Sequence, residues 1–353
     1  MLKISVSVLI AFVLTACYMP QKAPKKTNPL PRGDGQYDSE FPSAPTSPYL
    51  DKIVQSVKMI SILTFYKGYE FLLKDSITMA QVRDGSFRHK AYRQSIYERP
   101  AAGTATAILQ SDKDLLFLTC AHVVLHKDTS IIYYASKNNS KRSSKYIYSV
   151  SLKMREISTL ISTPRASQPK LIAADKDKDL ALISVTLVKR PVLPLPVFKF
   201  PFGKSSELHW GTFVYLIGYP NGKLLITPTV VSNPNRDSSH DFLLNAMLAR
   251  GISGGLVLAL RDGPPHFELV GIANALNAQV QYYLKPEFKE KDTFVDMEQP
   301  YKGRIYLGQR LTSNANIVFS ISAESIVDFI RRNIPKIKDE GFRVPSHFPL
   351  QRN

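Results

Sequence analysis

The sequence predicts an all-β fold, a barrel or a sandwich, closed by a single C-terminal helix. Short runs rich in β-branched and aromatic residues recur from about residue 103 to residue 321, with turn residues between them. Only the stretch after Ser322 carries a clear helical apolar face. The longest apolar run, Ile4 to Val13, is too short to span a bilayer, which excludes a polytopic membrane protein.

The elements follow in order. Met1-Leu2-Lys3 and the apolar Ile4–Val13 have the pattern of a secretory signal, and Leu14-Thr15-Ala16-Cys17 resembles the bacterial lipobox. Cleavage before Cys17 would remove residues 1–16 and leave an acylated cysteine as a membrane anchor. Residues 17–48 are Pro-rich without apolar periodicity and read as an extended tether. Tyr18 after the cysteine favours the outer membrane or cell surface. Leu50, Ile53 and Val54 share one face of a short helix. Strands are expected at 103–109, 115–120, 130–134, 146–152, 180–185, 213–217, 224–226, 256–260, 269–273 and 317–321. Asp112-Lys113-Asp114 turns the first pair. Ser322 caps a helix over 322–334, with Glu324 in its first turn, Ile326, Val327, Phe329 and Ile330 on its inner face, and Pro335 as its stop.

The 353 residues are 44% hydrophobic and 21% charged, which excludes a wholly disordered chain and a collagen-like one. Cys17 and Cys120 are the only cysteines, so there is no disulfide framework. The net charge is +17, and +16 without residues 1–16. The densest basic run, Lys137 to Lys145, reads as a solvated loop, with contact to an anionic envelope surface as the sharper alternative. No nucleic-acid signature accompanies it, and none is expected as a partner.

Three stretches carry chemistry: Leu118-Thr119-Cys120-Ala121-His122-Val123-Val124, Asp179-Leu180-Ala181-Leu182, and Arg250-Gly251-Ile252-Ser253-Gly254-Gly255. Each alone is weak, since a lone histidine is more often a core residue and a glycine-flanked serine more often a hairpin turn. In the order His, Asp, Ser, 57 and 74 residues apart, they resemble the chymotrypsin-like (trypsin-fold) serine peptidases, and within them the bacterial HtrA-like branch. The resemblance covers roughly residues 53–335. It extends to Gly103–Leu109, Ile217-Gly218-Tyr219-Pro220-Asn221-Gly222, Leu269-Val270-Gly271-Ile272 and Phe319-Ser320-Ile321-Ser322-Ala323.

The resemblance implies two six-stranded antiparallel barrels, about 51–200 and 201–320, within a peptidase domain of 49–336 followed by a tail of 337–353. It implies a secreted, lipid-anchored serine endopeptidase of the bacterial cell envelope, acting on protein or peptide substrates without a cofactor. A serine hydroxyl needs a base to take its proton. His122 would be that base, Asp179 would hold its tautomer, and the backbone N–H groups of Gly251 and Ser253 would receive the oxyanion. Met247 at the base, with Ala249 and Asn274 as walls, would form an apolar primary pocket. No trypsin-like zymogen step is expected. Only about eighteen residues follow Pro335, too few for the PDZ domain of many HtrA-like enzymes.

The sequence departs from that family's pattern at Ile252, where Asn or Asp is common, at Ala105, where Gly is common, and at Cys120, which reads as a small buried hydrophobe. His122 and His126 have helical metal-pair spacing, but Val123 stands where a zinc peptidase carries its Glu, so no metal is expected. Two other classes remain open: a catalytically silent relative that binds proteins or envelope polymers, and a structural envelope lipoprotein.

Overall fold

A computed structural model describes residues 33–136, 139–247, 249–274, 278–286, 303–313 and 316–349. The chain divides at Asp34–Gly35, and every element below lies in the unit from Gly35 to Asn353. The signal segment and Cys17 lie outside the described residues.

The fold is mostly β and chymotrypsin-like. A short helix α1 (Ser47–Val54) buries Leu50 and Ile53 and leads into β1 (Val57–Glu70). Inward Ile60, Ile62, Thr64 and Tyr66 alternate with outward residues, the period-two pattern of a strand with one covered face. A one-turn helix α2 (Met79–Asp84) precedes β2 (Arg93–Ser111), β3 (Asp114–Cys120) and a single helical turn α3 (Ala121–Val124). Then come β4 (Thr129–Ser136), β5 (Asn139–Ile161), β6 (Lys170–Asp175) and β7 (Leu180–Thr186). Strands β1 to β7 make one sheet in the order β4-β5-β1-β2-β3-β7-β6, curled into a half-barrel.

The second half runs β8 (Phe213–Gly218), β9 (Leu225–Asn233), β10 (Phe242–Leu244), β11 (Leu256–Leu260), β12 (Phe267–Asn274) and β15 (Val318–Ser322). These six close into a barrel in the order β10-β15-β12-β11-β8-β9. Between β12 and β15, β13 (Ala278–Pro286) and β14 (Ile305–Ser313) pair with each other as a separate ribbon. One core cluster joins residues of both halves, among them Leu116, Phe117, Tyr215 and Leu258.

Several boundaries differ from the sequence reading. The first sheet has seven strands and stays open, because β5 runs from Asn139 to Ile161 and pairs with β1 from Met59–Ile161 to Glu70–Ser149. Most of residues 128–170 is therefore sheet, where the sequence reading placed strands only at 130–134 and 146–152. Between β12 and β15, where the sequence reading placed no element, residues 278–286 and 305–313 are strand. The ordered fold begins before residue 49. Tyr37 is buried under the second barrel, donates to Glu268 Oε2 at 2.6 Å and accepts from the Lys204 N–H at 2.9 Å. The Arg261 guanidinium lies 4.0 Å above its ring, and Asp38 N–H donates to Leu260 O at 2.9 Å. One aromatic residue with a polar tip is enough to dock a segment that shows no periodicity.

The C-terminal helix also differs. α4 (Ala323–Arg332) starts where expected: the Ser322 hydroxyl accepts from Ser325 N–H at 3.2 Å, and Ile326, Val327, Phe329 and Ile330 are buried. It ends two residues early at Asn333, and Pro335 sits in the first turn of a second helix α5 (Ile334–Asp339), where its missing N–H costs nothing. Ile337 and Phe342 are buried, so the expected tail belongs to the core.

Candidate active site

Sheet register brings His122 to Asp179. β3 and β7 are antiparallel neighbours, with Cys120 paired to Leu180. The residues just beyond β3 therefore meet the residue just before β7. The Ala121 N–H donates to Asp179 O at 3.1 Å, and the His122 N–H donates to Asp179 Oδ1 at 2.8 Å. His122 Nδ1 is 2.6 Å from Asp179 Oδ2. A carboxylate only accepts, so this contact puts the imidazole proton on Nδ1 and leaves Nε2 as an acceptor. Nε2 lies 2.9 Å from Ser253 Oγ. Asp179, His122 and Ser253 thus form one hydrogen-bonded series.

Asp179 has a φ of 55°, in the left-handed region. Such a backbone costs about 1–3 kcal/mol and persists only where surroundings over-determine it. Here they do. In the preceding turn, Asp175 Oδ1 accepts from the N–H groups of Asp177 at 3.1 Å and Lys178 at 3.0 Å. Arg332 of α4 reaches Asp175 Oδ2 at 3.4 Å. The Lys178 ammonium donates to Ser239 Oγ of the second barrel. The Lys178 N–H, with smaller help from the Arg332 guanidinium, holds the Asp175 carboxyl below the usual carboxylate range despite partial burial. A depressed folded pKa contributes stability above the unfolded value and loses it as pH falls. Asp175→Asn keeps an acceptor for the turn and removes the charge. Its stability deficit against wild type should be full at pH 7 and smaller at pH 3, shrinking further as pH falls through the folded pKa, read from urea midpoints. An equal deficit at both pH values would refute the charge's role.

Ser253 sits in the turn before β11. β11 pairs with β8, Leu256 opposite Ile217, so the turn 219–222 that follows β8 lies beside the serine turn. Gly251 has a φ of 97°, and a Cβ there would clash with the Tyr219 carbonyl oxygen, so only glycine fits. Among the described residues, neither the Gly251 N–H nor the Ser253 N–H has an acceptor. Ile252, between them in sequence, is buried with its Cδ1 against Gly218 and Gly255. An apolar side chain there fills interior space, which explains that departure.

Cys120 is fully buried and its Sγ donates to Ala273 O at 3.3 Å. Burial, helped by the Asp179 charge, pushes its thiol well up. Cys120, His122 and Asp179 place potential ligand atoms within 4.8 Å of one another. A thiol held protonated is a poor metal ligand, and both His122 nitrogens are engaged. His126 does not join His122: its Nδ1 lies 3.0 Å from Glu156 Oε2.

The expected pocket is not assembled as the sequence suggested. Met247 is 71% exposed, so it faces solvent and is no pocket floor. The neighbouring Ala246 and Ile252 take the interior positions instead. Ala249 and Asn274 are half-buried. With Met247 in solvent, no apolar side chain from it closes the base of a primary pocket.

Residues 103–272 match the trypsin-like peptidase domain family. That match supports a chymotrypsin-like serine peptidase fold and a serine-protease type of function. No curated protein matches the chain. The matched span holds His122, Asp179 and Ser253. It also holds Thr104, which lies in the Gly103–Leu109 part of the family resemblance but carried no assigned role. The one signal available was its place directly after Gly103 at the start of the matched span.

Proposed function

We propose that the protein is a serine endopeptidase of the HtrA-like kind, secreted and held at a bacterial envelope through an acylated Cys17. The series Asp179–His122–Ser253, with contacts of 2.6 and 2.9 Å, carries the reading. In this reading Ser253 Oγ attacks a peptide carbonyl while His122 Nε2 takes its proton. The Asp179 carboxylate stabilises the imidazolium that forms. The Gly251 and Ser253 N–H groups donate to the developing oxyanion, each such donor contributing about 3 kcal/mol in a water-poor site. The Nε2–H then protonates the departing amine and leaves an acyl-enzyme. A water, deprotonated by His122, attacks the acyl carbon; the bond to Ser253 Oγ breaks, His122 returns the proton to Oγ, and the acid leaves. No step draws on a cofactor. The lipid anchor rests on Leu14-Thr15-Ala16-Cys17 alone.

A fluorophosphonate probe applied to expressing cells tests both parts. Wild type should label in the membrane fraction, Ser253→Ala should not label, and Cys17→Ala should label in the soluble fraction. Folded wild type that stays unlabelled would replace the enzyme with a silent binding protein. Membrane retention of Cys17→Ala would remove the lipid anchor.

A further inference from the structure

We infer that Thr104 is a positioning residue that holds the peptide planes next to the two oxyanion donors, an inference that rests on the serine-peptidase reading. Thr104 lies in β2, is fully buried and uses every polar atom it has. Its N–H donates to Ser253 O at 2.7 Å. Its hydroxyl donates to Gly251 O at 2.8 Å and accepts from the Tyr219 N–H at 2.9 Å. Its carbonyl accepts from the Thr119 hydroxyl at 2.7 Å. The directions are forced, since a carbonyl can only accept and an amide N–H can only donate.

The consequence lies in the orientation of peptide planes. Gly251 has no side chain to pin it. Each peptide of the turn is set by whatever holds its carbonyl, because N–H and C=O of one plane point to opposite sides. The Arg250 carbonyl, in the plane that carries the Gly251 N–H, accepts from the Asn221 N–H at 2.7 Å. The Ile252 carbonyl, in the plane that carries the Ser253 N–H, accepts from the Gly255 N–H at 2.8 Å. The Gly251 and Ser253 carbonyls, in the planes that follow these two, are held by Thr104 itself. The same hydroxyl grips Tyr219, in the turn that supplies the Asn221 N–H. One hydroxyl therefore ties the serine turn to the turn beside it, and the first sheet to both.

The surrounding glycines make room for it. A Cβ on Gly254 would clash with the Thr104 carbonyl oxygen, and one on Gly218 would stand 2.8 Å from the Thr104 hydroxyl. The site is built so that this hydroxyl reaches both turns at once. Thr104 touches no substrate in this account. It acts through Gly251, Tyr219 and Ser253.

The test compares Thr104→Val, which keeps the shape without the hydroxyl, with Thr104→Ser, which keeps the hydroxyl. Hydrolysis of a peptide substrate and the rate of fluorophosphonate labelling are measured below the melting temperature of each protein. Displaced oxyanion donors slow the chemical step more than binding. Thr104→Val should lose tenfold to about a hundredfold in kcat with KM nearly unchanged. Thr104→Ser should stay within about threefold of wild type. Thr104→Ala serves if the valine variant does not fold, and should lose kcat in the same way. A folded Val or Ala variant at the wild-type rate would overturn the inference, as would a serine variant as slow as valine. Wild type that neither hydrolyses nor labels would instead sink the peptidase reading itself.

Discussion

Asp179→Asn is expected to slow hydrolysis about ten-thousandfold while leaving the protein folded. The Asp179 carboxylate accepts two hydrogen bonds, from the His122 N–H at 2.8 Å and from His122 Nδ1 at 2.6 Å. Asparagine has one oxygen. The backbone N–H can only donate, so the amide oxygen must face it, and the amide nitrogen then faces Nδ1. That nitrogen donates and forces the imidazole proton onto Nε2. A protonated Nε2 cannot take the proton of Ser253 Oγ, 2.9 Å away. The backbone should survive, because asparagine tolerates the left-handed φ of 55° as readily as aspartate. Steady-state kinetics with a melting curve of the same sample checks both halves. A folded variant retaining a tenth of the wild-type kcat would remove Asp179 from its role.

Gly254→Ala should destabilise the protein by about 4 kcal/mol, the combined effect of a strained φ and an overpacked contact at ~1–3 kcal/mol each. Gly254 has a φ of 83°, and an added Cβ would clash with the Thr104 carbonyl oxygen and lie 2.8 Å from the Thr119 hydroxyl. Both neighbours are fully buried, and Thr104 is bonded at both ends. Neither can retreat without breaking the contact between the first sheet and the serine turn. The expected fall in Tm is roughly 10 °C. Calorimetry of the folded variant checks it, and a shift under about 2 °C would show that the turn relaxes freely. A half-buried glycine gives the control: nothing lies within 4 Å of a Cβ at Gly211, where only the φ of 83° opposes alanine.

Short strands with strong local pattern were legible in the sequence. Leu256–Leu260 and Leu180–Thr186 are buried along almost their whole length and read as mostly apolar runs. Long strands were read in part. β1 was missed altogether, because Lys58, Ser61, Thr64 and Lys67 interrupt its apolar residues. β5 was read only at its middle, and its outer stretches become strand by pairing, the first with β4 and the second with β1. Tyr37 gave no periodic signal, since its place depends on Glu268 and Arg261, more than two hundred residues away.

By itself, the sequence determined the all-β class, the capped helix after Ser322, and the identities of His122, Asp179, Ser253 and the glycines that flank the serine. These rest on local properties: side-chain period, cap chemistry and the need for residues that accept unusual dihedrals. Only the tertiary structure decided that Cys120 pairs with Leu180, that Met247 faces solvent, and that the Thr104 hydroxyl holds two turns together. The reason is physical. A hydrogen bond requires atoms placed to within a few tenths of an ångström, and between distant segments that placement is set by strand register and core packing, which no local pattern encodes.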